Sequence, residues 1–252
     1  MLSVSGVDLD IVERGQGRPL LFLHAGEGLW PQRPWLDALA QRFRVVAPTH
    51  PGWGRSVLPD WMSSVDDLAY LYLDLAKRLD LNDAVLVGNC FGGWVAAEMA
   101  VRDTRRFSRL VLAAPLGAKF GGLHDRDIAD MHGLARAEVD KLAWADPARG
   151  AVDYTKMPET EIAGVVRGRE AFTLFGWKPY MHNPRLKRWL HRIDIPTLVL
   201  WGERDRIVKP EFGAKWRDAI PGATLESIAD AGHFPHWEQP QAFADKIAAF
   251  AG

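Results

Sequence analysis

Val87-Gly88-Asn89-Cys90-Phe91-Gly92-Gly93 is the most informative segment of the chain. Before it, residues 83–88 form a short valine-rich run with the pattern of a buried strand; after it, residues 91–102 have helical character. A chain that passes from strand to helix so abruptly would bring side chains at 88 and 92 into collision, and glycine stands at both positions. Cys90, between them, is held in a strained conformation with its side chain projecting out of the turn. The N–H groups and positive end of the new helix point at that side chain, which favours an anionic sulfur and a developing oxyanion. Taken alone, the stretch has a plainer reading, a buried structural cysteine at a helix start. The rest of the chain has to decide.

Working outward, residues 19–24 and 44–48 read as buried strands, with helical spacing over residues 34–40 between them. Ser64, followed by Asp66 and Asp67, opens a long helix through Leu68, Leu71, Leu75 and Leu79, since serine suits an N-cap and early acids suit the helix dipole. Residues 110–114 form another strand. From there to about residue 192 the strand rhythm stops, and only helical patterns broken by Pro and Gly remain, rich in Trp, Phe, Tyr and His. It resumes with strands at 196–202 and 224–228 and helices near 211–219 and 241–250. The alternation predicts an α/β fold with a mostly parallel, doubly wound sheet. The interruption predicts a helical lid inserted at residues 116–192, with 1–115 and 193–252 forming the core domain. No internal repeat or low-complexity segment is present.

The 252 residues are 48% hydrophobic and 25% charged, with a formal net charge of -1, which is the balance of an ordinary globular protein. That balance argues against nucleic acid or an anionic membrane as a partner. The basic run Arg185-Leu186-Lys187-Arg188 is better read as a solvated helix face. A single cysteine rules out an intramolecular disulfide. With no signal-peptide-like start and no apolar run approaching ~20 residues, the expected location is the cytoplasm. His50, His124, His132, His182, His191 and His236 show no metal-ligand spacing, so no metal is expected; His236 reads as a structural or rim residue. Neither a Gly-x-Gly-x-x-Gly pattern nor a phosphate loop is present, so no cofactor is expected either. The expected partner is a small-molecule substrate, and the chain is expected to be a monomer or homodimer.

Two loops complete the constellation. Asp205 follows the strand that ends Trp201-Gly202, and His233 sits in Ala231-Gly232-His233-Phe234-Pro235 after the last strand. A lone Asp or His in a loop is usually surface decoration; behind a nucleophile, in the order nucleophile, acid, histidine, the pair reads as catalytic. His24-Ala25-Gly26, Pro51-Gly52-Trp53-Gly54-Arg55-Ser56, the Cys90 turn and these two loops together resemble the lid-bearing α/β-hydrolases across nearly the whole chain. The resemblance implies Cys90 as nucleophile, His233 as general base and acid, and Asp205 as the group orienting the histidine. It also implies an oxyanion hole from the backbone N–H groups of Gly26 and Phe91. Losing one such donor typically costs ~2.7–4 kcal/mol of transition-state stabilisation.

The sequence departs from the family's usual pattern in two places. Cysteine stands where most relatives have serine, either as a native thiol or as a replacement for serine, and His24 is followed by Ala25 rather than glycine. The lid aromatics Phe120, Trp144, Phe172, Phe175, Trp177 and Tyr180, with Met181 and His182, are candidates to line the pocket or to pack the lid onto the sheet. Trp177, Tyr180 and Met181 are the expected substrate contacts, joined by Glu27 beyond the oxyanion loop. The leading expectation is cofactor-independent hydrolysis of a small or medium carboxylic ester, lactone or thioester through an acyl-Cys90 intermediate. Two alternatives stay open: carbon–carbon bond hydrolysis of a diketone-like substrate, and a ligand-binding receptor that keeps the pocket without turnover.

Overall fold

The computed structural model describes residues 1–29, 33–122, 124–150 and 152–252. Its strands are β1 (Leu2–Val4), β2 (Val7–Leu9), β3 (Ile11–Arg14), β4 (Pro19–Leu23), β5 (Arg44–Pro48), β6 (Ala84–Asn89), β7 (Phe107–Ala113), β8 (Thr197–Gly202) and β9 (Thr224–Ile228). The first two pair as a small hairpin, and the other seven form one sheet in the order β3-β5-β4-β6-β7-β8-β9. Within that seven-stranded sheet the β3–β5 pair is antiparallel and the other pairs are parallel. β1 to β3 had no counterpart in the sequence reading, because strands of three or four residues are too short to display a period. β6 begins one residue later than expected because Asp83 adopts a positive φ of 52° in the preceding turn.

Helices α1 (Pro34–Ala40), α2 (Val65–Arg78) and α3 (Phe91–Arg102) follow the alternation of the first half, and α7 (Glu211–Ala219), α8 (Pro235–Glu238) and α9 (Pro240–Ala251) that of the last quarter. Ser64 caps α2 as its sequence suggested. Its hydroxyl accepts the Asp67 amide while the Asp67 carboxylate accepts the Ser64 amide, a reciprocal pair worth about 1 kcal/mol. Leu68, Leu71, Tyr72 and Leu75 then share one buried face of that helix. Strands β4, β6 and β7 are buried on both faces, which explains their near-continuous apolar runs. One face of the sheet packs under α2 and α3, with Leu21, Leu23, Leu86 and Leu112 pointing to it. The other packs under α1 and α9 through Leu20, Phe22, Val85, Val87 and Val111.

Between β7 and β8 no strand occurs among the described residues. The segment holds α4 (Arg136–Ala143), α5 (Glu159–Gly176) and α6 (Leu186–Trp189), with short 3₁₀ turns at Pro147–Arg149, Tyr154–Lys156 and Leu190–Arg192. Its one β contact is an isolated bridge between Gly117 and His182. It leaves the sheet at the C-terminal ends of the central strands, where open α/β sheets place their ligands.

Candidate active site

The chain runs from β6 to α3 with Cys90 alone at the junction, and its backbone sits at φ 53°, ψ -114°. That conformation is strained for a residue with a Cβ and persists only because its surroundings leave no other course. The flanking glycines show why: a Cβ on Gly88 would overlap the carbonyl of Gly92, and a Cβ on Gly92 would overlap the carbonyls of Leu23 and His24. The helix thus crosses the end of β4 in backbone contact. Cys90 lies just 2% exposed beneath the segment that follows β7.

His233 and Asp205 come to the same place from the ends of β9 and β8. Asp205 Oδ1 accepts the amides of Ile207 at 2.8 Å and Val208 at 3.0 Å, leaving Oδ2 for His233 Nδ1 at 2.8 Å. This fixes the ring with Nδ1 as donor and turns Nε2 away from the acid. Nε2 is buried and makes no hydrogen bond of ordinary geometry, yet Cys90 is near enough to act on it. Burial opposes the charged ring, but the Asp205 carboxylate and then the Cys90 sulfur outweigh it and hold His233 well above the usual histidine range. The structure therefore brings the three sequence-predicted catalytic residues together.

The two expected oxyanion donors come from the start of α3 and the loop after β4. Phe91 is the first residue of α3, so its N–H has no intrahelical partner. Gly26 lies in the loop after β4, with its carbonyl accepting Trp53 Nε1 at 2.9 Å. The ring of Phe172, from α5, covers both. It packs edge-on against Phe91 at 5.3 Å between centroids, and a Cβ on Gly26 would come within 2.7 Å of it.

The base is held from outside the sheet domain as well. The His233 amide donates to Ala143 O at 2.6 Å and the Arg206 amide to Leu142 O at 3.0 Å, both at the C-terminal end of α4. The buried Glu238 carboxylate accepts the amides of Gly232 at 2.6 Å and Ala145 at 2.8 Å, tying the histidine loop to the chain after α4. Glu238 was missed in the sequence, and its one signal was an acid in an otherwise apolar stretch behind the histidine. His236, read as structural or rim, is buried among the rings of Phe22, Trp35, Phe234 and Phe243 and is not at a rim.

A cavity of about 290 Å³ is walled by Ala25, Trp144, Val152, Phe234 and Trp237 and edged by Glu27, Arg136, Arg149 and Glu161; it touches chain neighbours of Gly26 and His233 but none of the three triad side chains. Glu27 lies at its edge, where it faces Arg136 at 3.4 Å. The three expected lid contacts are placed differently. Trp177 is 57% exposed and lines a separate cavity together with Tyr180. The Tyr180 hydroxyl is occupied by Ala129 O and the Met131 amide. Met181 is fully buried and packs its sulfur against Gly176. Helical spacing did not tell these residues from Phe172 and Trp144, because it carries no information on which way the segment docks. Phe120 packs against Phe212 and Trp216, away from Cys90. A larger groove of about 910 Å³, lined by Tyr70, Trp94, Arg102 and Trp189, touches none of the triad. Among the described residues no group of acids, histidines and cysteines could hold a metal ion, and no helix is long and apolar enough to cross a membrane.

The sequence pattern of the alpha/beta hydrolase family matches residues 20–246, and the chain belongs to that family. Among curated relatives, the AB hydrolase superfamily protein YisY of Bacillus subtilis (strain 168) is 27% identical over 97% of this chain and 96% of its own length. The 2-hydroxymuconate semialdehyde hydrolase of Pseudomonas sp. (strain CF600) is 26% identical over 98% of this chain and 91% of its own. Among solved structures, a meta-cleavage product hydrolase from Pseudomonas fluorescens IP01 superposes with a TM-score of 0.79 at 21% identity, covering 98% of this chain and 95% of that one. That likeness bears on the fold.

Proposed function

We propose that this hydrolase cleaves a bond to a carbonyl carbon by acyl transfer to Cys90, and that its substrate is of the diketone-like, carbon–carbon-cleaved class. The observation that carries the acyl-transfer part is the Asp205-oriented His233 ring acting on the Cys90 sulfur at the strand-to-helix turn, with the amides of Gly26 and Phe91 as the proposed oxyanion donors. The substrate class is supported by the curated relatives of near-equal length that are named as hydrolases of such compounds. The helical segment between β7 and β8 serves as the lid, with Phe172 as its cover over the nucleophile.

The steps follow from the geometry. The sulfur attacks the carbonyl carbon, and the oxygen takes up the electron pair between the amides of Gly26 and Phe91, where fixed donors stabilise charge without reorganising. Collapse breaks the bond to the leaving group. In carbon–carbon cleavage the departing carbanion is an enolate of the neighbouring carbonyl, and His233 gives it a proton. Water then loses a proton to His233, attacks the thioester and releases the carboxylic acid and the thiol. Asp205 keeps Nδ1 protonated throughout, so that Nε2 is always the nitrogen that exchanges the proton.

The free thiol favours a second substrate reading, esters, lactones or thioesters, because thiolates attack activated acyl groups readily. Intact-protein mass after mixing with 4-nitrophenyl acetate, with phenol release followed in parallel, tests the shared chemistry. An acetyl group on the Cys90 peptide is expected, absent in Cys90→Ala and strongly slowed in His233→Ala. Unchanged release by Cys90→Ala would sink the acyl-transfer reading. Turnover of a vinylogous diketone acid at least tenfold better in kcat/KM than of matched esters is expected for carbon–carbon cleavage, and the reverse order would hand the substrate to the ester reading.

A further inference from the structure

The loop that carries the Gly26 amide is fastened by a run of buried hydrogen bonds reaching back to α2. His24 Nδ1 lies 2.6 Å from Ala25 O, and the His50 amide donates to His24 Nε2 at 2.9 Å. Since Nε2 of His24 accepts, its Nδ1 carries the proton and donates to Ala25 O. His50 Nε2 lies 2.9 Å from His24 O, which can only accept, so this nitrogen of His50 is protonated and its Nδ1 receives the Tyr72 hydroxyl. The proton positions of both rings are thereby fixed by partners whose roles are not in doubt. Tyr72, His50 and His24 are at most 1% exposed, and burial pushes both histidines down, His50 to about 3, so each ring stays neutral and keeps one donor and one acceptor.

A trans peptide points its C=O and its N–H in opposite directions. Ala25 O is held by His24 Nδ1 and by the Gly28 amide at 3.0 Å, so the Gly26 N–H of the same peptide is aimed the other way. The next peptide is fixed in turn by Trp53 Nε1 on Gly26 O. The ring of His50 also packs edge-on against Phe91 at 5.4 Å, the residue that supplies the second amide. One buried histidine thus bears on both donors.

The geometry points to Tyr72 and His50 as positioning residues that act through His24 to set the Gly26 amide of the oxyanion hole. This rests on the acyl-transfer reading above, and neither residue touches the reacting atoms.

The test is Tyr72→Phe, which removes one oxygen from a ring that otherwise stays in place. With 4-nitrophenyl acetate, about a tenfold fall in kcat is expected with KM within twofold. The affinity of a trifluoromethyl ketone, whose adduct places an oxyanion between the two amides, should fall by the same factor, while that of acetate should not change. His50→Leu should lower kcat further, and adding Tyr72→Phe to it should cost nothing more, because the hydroxyl acts only through His50. Multiplying effects in the double variant would overturn the proposal. So would a Tyr72→Phe enzyme with wild-type kcat and wild-type ketone affinity, or one that loses acetate and ketone affinity alike. If Tyr72→Phe does not fold, the ketone-to-acetate affinity ratio of His50→Gln decides in the same way. Loss of activity in Cys90→Ala together with an indifferent Tyr72→Phe would leave the acyl-transfer reading standing and remove only this one.

Discussion

The turn that carries Cys90 is held by backbone packed on backbone, whereas the loop that carries His233 is held by a side chain and by a neighbouring helix. At the first, glycines at 88 and 92 let α3 touch the end of β4. At the second, Glu238 accepts two amides and the last turn of α4 accepts a third. The Cys90 turn therefore belongs to the sheet, and the His233 loop belongs partly to the segment between β7 and β8. A shift of that segment would pull on the histidine loop through the end of α4.

Three perturbations would break or sharpen that contrast. The largest effect is expected from Gly92→Ala, whose added methyl has only main chain to push against; a loss of about 4 kcal/mol or more in denaturant unfolding is expected, and a loss under ~1 kcal/mol would refute the backbone-contact account. Acid should come next. His50 and His236 are both pushed down to about 3 by burial, and His24 also lies well below its ordinary value. Their folded-state proton affinity is below that of the unfolded chain, so the unfolded state binds more protons below pH 6.5 and stability falls with pH. Each fully shifted ring costs about 2 kcal/mol by pH 5. His233, shifted the other way, contributes in full below pH 6.5 and loses its contribution only as pH rises through its folded value. Since two of the three neutral rings serve the oxyanion loop, amide exchange at pH 5 should show residues 24–28 and 49–53 opening before residues 230–236; the opposite order would reverse the comparison. The smallest effect is expected from Glu238→Gln, which leaves one buried amide without an acceptor. A stability loss of about 1–3 kcal/mol is expected, with kcat reduced and the rate of Cys90 acylation by a small activated ester reduced in parallel. An unchanged kcat would show that the histidine loop does not need its tether.

Much of this architecture was legible in the residues because it rests on local pattern. The strands β4 to β6 and β8 are largely apolar runs of ordinary length, Ser64 and Asp67 announce α2, and the Gly-x-Cys-x-Gly turn fixes where strand gives way to helix. The meeting of Cys90, Asp205 and His233 was legible for the same reason, since each stands just past a strand with a glycine within three residues. What escaped was contact between residues far apart in the chain. Nothing in residues 50 and 72 says that a tyrosine on α2 meets a histidine after β5, and nothing in the spacing of the aromatics between β7 and β8 says that Phe172 packs on Phe91 while Trp177 faces solvent. Direction of docking is a property of the packed whole, and a single sequence records it only as composition.

Cys90 is the chain's single thiol and is 2% exposed, with Phe172 packed against the neighbouring Phe91. A small alkylating reagent can meet that sulfur only while the aromatic cover stands aside. At modest reagent concentration the labelling rate is then the fraction of time open multiplied by the intrinsic reactivity of the exposed thiol. The molecule thus carries its own stopwatch: its single sulfur counts how often the cover above it opens.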